Sequence, residues 1–165
     1  MIKHFVLFIL LAALSACGRI SIYKYKAHDI TGESDIKMAM LYVPRDIYVE
    51  EIDGKGKYSP NGSSDLFPYS AAEIELAPGT HTLSLTYASS LGYTKSKTNI
   101  TSIFIPGGNY FLDSKINYSK SDTGKMLRSV AYVVNKCGSR EEEEINKTNK
   151  KYASWLAPYV PVCGK

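Results

Sequence analysis

Recognisable catalytic motifs are missing from this chain of 165 residues. The sequence has no Gly-x-Ser-x-Gly elbow, no His-Glu-x-x-His pair, no Walker loop and no dinucleotide fingerprint. Histidine, a side chain much used in acid–base chemistry, occurs only three times. We therefore expect a protein that is not an enzyme and that needs neither a metal nor a cofactor.

Long apolar runs and a strong charge of either sign are missing as well. The longest apolar run, from Phe5 to Leu14, has about ten residues, half the length that a membrane-spanning helix needs. The net charge of +4 is small and is spread along the chain. Because nucleic-acid binding requires a concentrated basic patch or stripe, we expect no nucleic-acid partner.

The first seventeen residues are arranged like an export signal. Lys3 precedes the apolar run, and the run ends in Leu14-Ser15-Ala16-Cys17. This pattern resembles a bacterial lipoprotein signal. The resemblance implies that residues 1–16 are removed as a signal peptide and that Cys17 carries lipid such as palmitate. The alternative is an ordinary cleaved signal followed by a cysteine that is present by chance.

The lipoprotein resemblance also implies a location in the bacterial cell envelope. Two or more acyl chains on Cys17 anchor a protein to a membrane stably. Gly18 stands where an aspartate tends to retain such proteins in the inner membrane, so the resemblance favours the outer membrane, on its periplasmic or surface face. Residues 17–35 are then the lipidated N-terminus and a polar tether, and residues 36–165 are the folded domain. The alternative for the start of the tether is a short strand, because Ile20-Ser21-Ile22 alternates.

The small number of cysteines allows a prediction about their pairing. Of three cysteines, assigning Cys17 to lipid leaves Cys137 and Cys163, an even number in an oxidising compartment. We predict a disulfide between these two. The competing interpretation is a pair of free thiols in a metal or redox site, but there is no Cys-x-x-Cys motif and no histidine nearby in sequence.

Strand patterns fill the sequence between residues 36 and 136, and no helical period occurs there. The even-numbered residues from Ile36 to Tyr42 fall on one face of the first strand, and Pro78-Gly79 is the expected turn of a hairpin. We predict an all-β fold, an antiparallel β-sandwich of immunoglobulin or transthyretin type, with a small closed barrel as the alternative. The seven predicted strands cover residues 36–43, 47–52, 73–76, 80–87, 99–105, 110–118 and 129–134.

The pattern after Cys137 changes from strand to helix. Glutamates at 141–144 precede lysines at 147, 150 and 151, an order that complements the helix dipole. Glu143 and Lys147 are also spaced for an ion pair across one helical turn. We predict a short C-terminal helix over roughly residues 141–156, in which Ile145, Tyr152, Trp155 and Leu156 form a partial apolar face.

Two features carry our predictions about side-chain interactions. His81 directly follows the Pro78-Gly79 turn, where we expect it to hydrogen-bond to the turn or to pair across the hairpin. A hydrolase would need an acid and a serine beside this histidine.

Tyr58, Phe67 and Tyr69 lie in a long loop rich in glycine and serine. Because rigid aromatic side chains are good binding groups, we predict this cluster as a partner contact.

A second resemblance covers roughly residues 38–135. The Ile52-Asp53-Gly54 turn, the segment from Leu76 to His81, and the strand start at Gly108-Asn109-Tyr110 are similar to PEGA-type surface-layer modules and to related envelope lipoprotein domains of unknown function. The resemblance implies a non-catalytic β-sandwich that binds or supports another envelope component, such as a protein or peptidoglycan. The alternative function is inhibition of a cell-wall hydrolase or lysozyme by a loop at 59–68.

Overall fold

The computed structural model describes residues 22–27, 36–56, 58, 71–89, 92–93, 97–120, 124, 126–153 and 159–164. These residues form two β-sheets and one short helix. The elements are β1 (Ile22–Ala27), β2 (Ala39–Val43), β3 (Ile47–Ile52), β4 (Ala71–Leu76), β5 (Gly79–Ser89), β6 (Gly92–Tyr93), β7 (Thr98–Phe104), β8 (Asn109–Lys120), β9 (Met126–Lys136) and α1 (Arg140–Tyr152). Every predicted strand is present, β1 and β6 are additional, and neither sheet closes into a barrel within the described part of the chain.

The first sheet, sheet A, has the strand order β1-β4-β2-β8-β9. The pairs β2–β4 and β8–β9 are antiparallel, whereas β1–β4 and β2–β8 are parallel. Sheet A is therefore mixed, which corrects the prediction of a purely antiparallel fold. Each parallel pair joins segments that are far apart in the sequence, and no local turn pattern indicates such a pairing.

The second sheet, sheet B, is built around β5, which pairs antiparallel with β3 on one side and β7 on the other. The short strand β6 pairs with the last residues of β5. The hairpin predicted at Pro78-Gly79 is wrong, because β4 and β5 belong to different sheets. Residues 77–78 instead carry the chain from one sheet to the other, since the apolar faces of both strands contribute to the same core.

One buried cluster takes side chains from both sheets, as expected of a β-sandwich. In β2 the buried residues are Ala39, Leu41 and Val43, whereas the residues between them are half-buried on the opposite face. The even-numbered residues that the sequence brings to one face of this strand therefore point away from the core. The fully buried members of the cluster include Leu41, Val49, Ile74, Leu76, Leu83, Leu85, Phe104 and Leu112.

The C-terminal part of the chain covers the outer face of sheet A. Phe111 alternates with the core residues Tyr110 and Leu112 and so points away from the core, yet it is fully buried. Its partner across β2 is Tyr42. A Cβ atom on Gly164 would lie 3.0 Å from the Tyr42 ring, which places the C-terminal tail against this face. We infer that the tail shields Phe111 from water.

The predicted C-terminal helix is present as α1, but it ends at Tyr152, before the predicted end near residue 156, because Ala153 is extended. None of its residues is buried, and Tyr152 is 74% exposed. The predicted ion pair between Glu143 and Lys147 forms at 3.3 Å. Residues 154–158, which include Trp155 and Leu156 of the predicted apolar face, lie outside the described residues. Among the residues that are described, no helix combines the length and the apolar character needed to cross a membrane.

The strand directions give the domain two distinct ends. The start of β1 and the 44–46 turn, which connects β2 to β3, lie at one end, which we name the entry end. The start of β5 at Gly79, the start of β8 at Asn109 and the end of β9 at Lys136 lie at the other end, which we name the groove end. The groove described below lies at the groove end.

The range predicted as a tether, 17–35, contains an ordered strand. Strand β1 forms the edge of sheet A, and two of its lysines contact glutamates of β4. Lys24 lies 3.2 Å from Glu73, and Lys26 lies 3.8 Å from Glu75. The sheet therefore begins at residue 22, before the predicted domain boundary. The rest of the predicted tether, the lipidation residue Cys17 and the signal peptide at 1–16 lie outside the described residues.

Candidate functional site

An open groove of about 330 Å³ lies at the groove end. Three short backbone segments form its walls: the 105–109 turn between β7 and β8, residues 136–138 after β9, and residues 163–164 of the C-terminal tail. The Tyr42 side chain, from the outer face of β2, completes the lining. The groove thus depends on segments from three distant parts of the sequence meeting at one point.

Two glycines give the groove its close backbone approaches. A Cβ atom on Gly108 would lie 2.6 Å from the ring of Tyr110, which is closer than real carbon contacts allow. Gly164, whose φ is +67°, would in the same way crowd the Tyr42 ring. Tyr110 is in turn fixed, because its hydroxyl accepts a hydrogen bond of 2.9 Å from the Ile105 amide. A side chain at Gly108 or Gly164 would therefore alter the wall.

The predicted disulfide between Cys137 and Cys163 is confirmed and lies in the groove wall. The S–S distance is 2.09 Å and the two Cα atoms are 6.2 Å apart. The bond ties the end of β9 to the C-terminal tail, and Cys163 is 3% exposed. It uses two of the three cysteines, which leaves Cys17 as the one cysteine without a disulfide partner in the chain.

A capped helix start supports the disulfide. Ser139 is the N-cap of α1, and its hydroxyl accepts a hydrogen bond from the Glu142 amide at 3.3 Å. The Glu142 carboxylate turns back and accepts from the Gly138 amide at 2.6 Å, in the manner of a capping box. One turn further on, the Asn146 side chain accepts from the Val162 amide at 2.8 Å. These hydrogen bonds hold in place both segments that the disulfide joins, the end of β9 and the C-terminal tail.

The polar groups of the groove are mostly satisfied internally. The amides of Gly107 and Gly108 donate to carbonyl oxygens at 3.0 Å, and the Cys137 amide donates to the Asn109 carbonyl at 2.9 Å. Such occupied donors do not form an anion-binding nest. Among the described residues that line the groove, Lys136 is the one that is charged. A partner in the groove would therefore meet a concave backbone surface, the Lys136 ammonium group and the Tyr42 hydroxyl. These groups suit a neutral or weakly acidic polar partner.

The Tyr42 hydroxyl remains a hydrogen-bonding group over a wide range of pH. Burial raises the pKa of Tyr42, and the carboxylates of Glu73 and Glu142 raise it further, while Lys24 opposes them. The neutral phenol can both donate and accept. A partner in the groove could therefore use Tyr42 as either a donor or an acceptor.

The disulfide also decides whether the groove end can bind a metal. One ligand atom from each of Cys137, Glu142 and Cys163 falls within 4.8 Å of the other two. The two sulfur atoms are bonded to each other, so they are not thiolate ligands, and the Glu142 carboxylate is engaged by the helix cap. This cluster is therefore structural in the oxidised protein.

His81 lies on β5 beside the 53–56 turn. Its Nδ1 contacts the Asp53 carboxylate at 2.6 Å, and its Nε2 contacts the Ala77 carbonyl at 2.8 Å. The contact with Ala77 gives His81 the predicted hydrogen bond beside Pro78-Gly79, although these residues cross between sheets and do not form a hairpin turn, and the contact with Asp53 was not predicted. Both ring nitrogens of His81 are therefore occupied by groups of the protein.

Asp53, which directly follows β3, also contacts the backbone of β5. Its second oxygen accepts a hydrogen bond of 2.8 Å from the Thr82 amide. That hydrogen bond lowers the pKa of Asp53, burial opposes the shift, and His81 lowers the pKa further. Asp53 and Gly54 both have positive φ, +52° and +73°, as a two-residue type I′ hairpin turn requires. The pair is therefore a clamp between β3 and β5 rather than a catalytic dyad with an open nitrogen.

The predicted aromatic contact cluster is described only at Tyr58. Its side chain is half-buried, packs against the core and meets the Tyr25 ring edge-on, with centroids 6.2 Å apart. Its amide donates to the Val49 carbonyl at 3.1 Å. Tyr58 therefore has a clear packing role, and its role as a partner contact stays a prediction. Phe67 and Tyr69, and the loop at 59–68, lie outside the described residues.

Sequence reasoning did not identify the groove. The Pro106-Gly107-Gly108 segment ends a predicted strand, and Cys137 and Cys163 form a predicted pair, but neither pattern says that they meet. One overlooked local signal was Ser139-x-x-Glu142, the spacing of a capping box. It would have placed the start of α1 and the orientation of the chain after Cys137.

Comparison with protein-family models, with curated proteins and with solved structures finds no match for this chain.

Proposed function

We propose that this chain is a non-catalytic lipoprotein of the bacterial envelope, anchored in the outer membrane through lipid on Cys17. Its β-domain binds another envelope component, a protein or peptidoglycan, at the groove end. The observation that carries the proposal is the disulfide, which leaves Cys17 of the Leu14-Ser15-Ala16-Cys17 pattern as the one cysteine free to take lipid.

The topology supports this division of the domain into an anchored end and a binding end. Cys17 precedes β1 by five residues, and Ile22 starts β1 at the entry end. The groove lies at the opposite end of the same sheet. An anchor at Cys17 therefore directs the groove away from the membrane, where a periplasmic or surface partner can reach it.

The two-sheet fold suits a binding module of this kind. We propose that it is a β-sandwich of immunoglobulin or transthyretin type, a scaffold whose loops at either end carry recognition. The parallel pairs β1–β4 and β2–β8 are a departure from the purely antiparallel version of that scaffold. The occupied nitrogens of His81 support the non-catalytic part of the proposal.

Metabolic labelling with a palmitate analogue tests the anchor. We expect label on the wild-type chain and none on Cys17→Ser in a bacterial host. Label on both chains, or on neither, would contradict the proposal.

Site-specific photocrosslinking tests the binding end. A photoreactive residue at Ile105, which is 48% exposed in the groove lining, should crosslink to an envelope component in intact cells. The same residue at Thr101, exposed on β7 outside the groove, is the matched control. Equal yields at both positions would remove the assignment to the groove end. Inhibition of a cell-wall hydrolase by the purified chain would instead support the alternative function.

A further inference from the structure

The outer parts of β8 and β9 form a two-stranded ribbon that continues past the pairing of β8 with β2. Strand β8 pairs with β2 only through residues 109–111, whereas it pairs with β9 along its whole length to Lys120. We name residues 113–120 and 126–133 the ribbon. Ile116 and Val130 still pack against the core, but the residues from Asn117 to Lys120 are all exposed. The outer part of the ribbon therefore stands clear of both sheets.

The ribbon projects from the entry end, where the N-terminal chain joins the domain. Through the pairing of β1, β4, β2 and β8, Ile22 lies at the level of Asp113 in sheet A. From that level to Lys120 the ribbon rises seven residues, about 24 Å at the usual strand spacing. Sheet twist turns it by about 60–75° from β1 over three strand pairs, so it extends obliquely from this end.

The chain between Cys17 and the sheet is too short to hold the domain far from a membrane. Four residues, 18–21, lie between Cys17 and Ile22, and the five residue steps span at most about 18 Å when fully extended. The ribbon leaves the same end obliquely, so its tip lies about 6–12 Å beyond Ile22 along the β1 axis, within the span that this short link allows. If Cys17 is lipidated, the ribbon is the described part of the domain that meets the membrane surface.

The composition of the ribbon suits an anionic surface. Its two arms contain Lys115, Lys120 and Arg128, and no acidic residue follows Asp113 within these ranges. Lys115 is exposed, but it lies close to the start of α1. Hydrogen bonds from the Glu141 amide and the Ser139 hydroxyl lower the pKa of Glu141, and the charge of Lys115 lowers this pKa further.

The tip of the ribbon is therefore the position where charge and an aromatic ring are both available. Lys120 is exposed there, and Tyr118, 62% exposed, is an aromatic of the kind enriched at membrane interfaces.

We propose that the ribbon lies on the membrane that holds the lipid anchor and contacts its anionic headgroups through Lys120 and Tyr118. This inference rests on the proposed function, because it requires lipid on Cys17. It adds a second membrane contact, which would fix the orientation of the domain and hold the groove outward. A basic residue close to an anionic surface strengthens attachment about fivefold.

Tryptophan quenching by bromine-labelled lipids tests the contact in the full lipidated chain. The one native tryptophan, Trp155, is replaced by phenylalanine, and Tyr118→Trp then reports on the ribbon tip. Ile105→Trp, at the groove end and 48% exposed, is the matched control. The proteins are reconstituted into vesicles of brominated phosphatidylcholine with or without phosphatidylglycerol.

We expect quenching at position 118 at least about twice that at position 105 in the anionic vesicles, and a loss of this difference in Lys120→Glu or without phosphatidylglycerol. Equal, weak quenching at both positions in a chain that still floats with the vesicles would overturn the ribbon contact and leave the anchor intact. A chain that carries no lipid and does not float would overturn both proposals. Cosedimentation with peptidoglycan that depends on Lys120, without quenching, would assign the ribbon to the cell wall instead and overturn the membrane contact.

Discussion

Replacement of Asp53 is the most discriminating test of how the groove end is held together. Asp53 holds a positive φ of +52° and accepts hydrogen bonds from the Thr82 amide and the His81 ring. Asp53→Ala removes both bonds and places alanine in the left-handed region, whereas Asp53→Asn keeps the turn and the bond from Thr82. Asp53→Asn therefore measures what the negative charge contributes to the free energy of unfolding. The further loss in Asp53→Ala measures the contribution of the turn conformation and of the hydrogen bond from the Thr82 amide.

The magnitudes follow from these contacts. The left-handed conformation costs alanine about 1–2 kcal/mol. The two hydrogen bonds contribute about 1 kcal/mol each, at the lower end of the range because the Asp53 side chain is 46% exposed. We expect Asp53→Ala to lower the free energy of unfolding by about 3 kcal/mol and Asp53→Asn by about 1 kcal/mol or less. Urea unfolding followed by circular dichroism, with the disulfide intact, measures both.

The pH dependence has a definite sign. Because the pKa of Asp53 is lowered from its ordinary value of 3.8, first by the Thr82 amide and then by His81, the folded state favours the carboxylate. Its contribution is present above the ordinary value and is lost as the pH falls through the lower folded value. The stability difference between wild type and Asp53→Asn should therefore be largest near neutral pH and shrink below about pH 4. Equal stability of the alanine and asparagine variants, or a difference that does not change between pH 7 and 3, would refute this reasoning.

Four further changes probe other parts of the fold. Leu85→Ala, at a fully buried position of β5, should cost about 3–4 kcal/mol in urea unfolding. Replacing Cys137 and Cys163 together by serine should cost up to about 3.5 kcal/mol, from the 26-residue separation that the disulfide closes, and mass spectrometry under non-reducing conditions checks that the bond is absent. Ser139→Ala should cost about 1 kcal/mol and speed amide hydrogen exchange in α1, an effect that Ser139→Asp should not show. Asp46→Asn should stabilise the protein at pH 7 but not in acid, because burial raises the pKa of Asp46 and the folded state disfavours the charge; an unchanged gap across pH would contradict this.

The strands were predictable because their signals are local. Alternation from Thr80 to Tyr87 fixes the buried face of β5, and Leu83 and Leu85 are indeed fully buried. The Asp53-Gly54 pair specifies its own turn, since few residues other than glycine, asparagine and aspartate accept positive φ. The disulfide followed from an even count of cysteines once Cys17 was set aside.

Features that depend on distant pairing were not predictable in the same way. Strand β1 pairs with a segment about fifty residues later, and its two lysines look like a solvated tether until Glu73 and Glu75 are placed opposite them. Pro78-Gly79 has the composition of a hairpin turn, but the same residues also suit a crossing between sheets. Phe111 lies on what a two-sheet prediction treats as a solvent face, yet it is fully buried, and no pattern in the sequence indicates this burial. The groove also depends on distant pairing, because the 105–109 turn, the end of β9 and the C-terminal tail meet only in the folded chain.

The pairing of β1 also determines how the domain responds to tension. A pull between the chain entering at Ile22 and a partner held at the far end acts roughly along the strand axis. All six residues of β1 are registered against β4, so their hydrogen bonds carry such a load together instead of opening one after another. The lysine–glutamate contacts further resist sliding of one strand past the other. We therefore expect β1 to resist such a force until all of its hydrogen bonds to β4 break together.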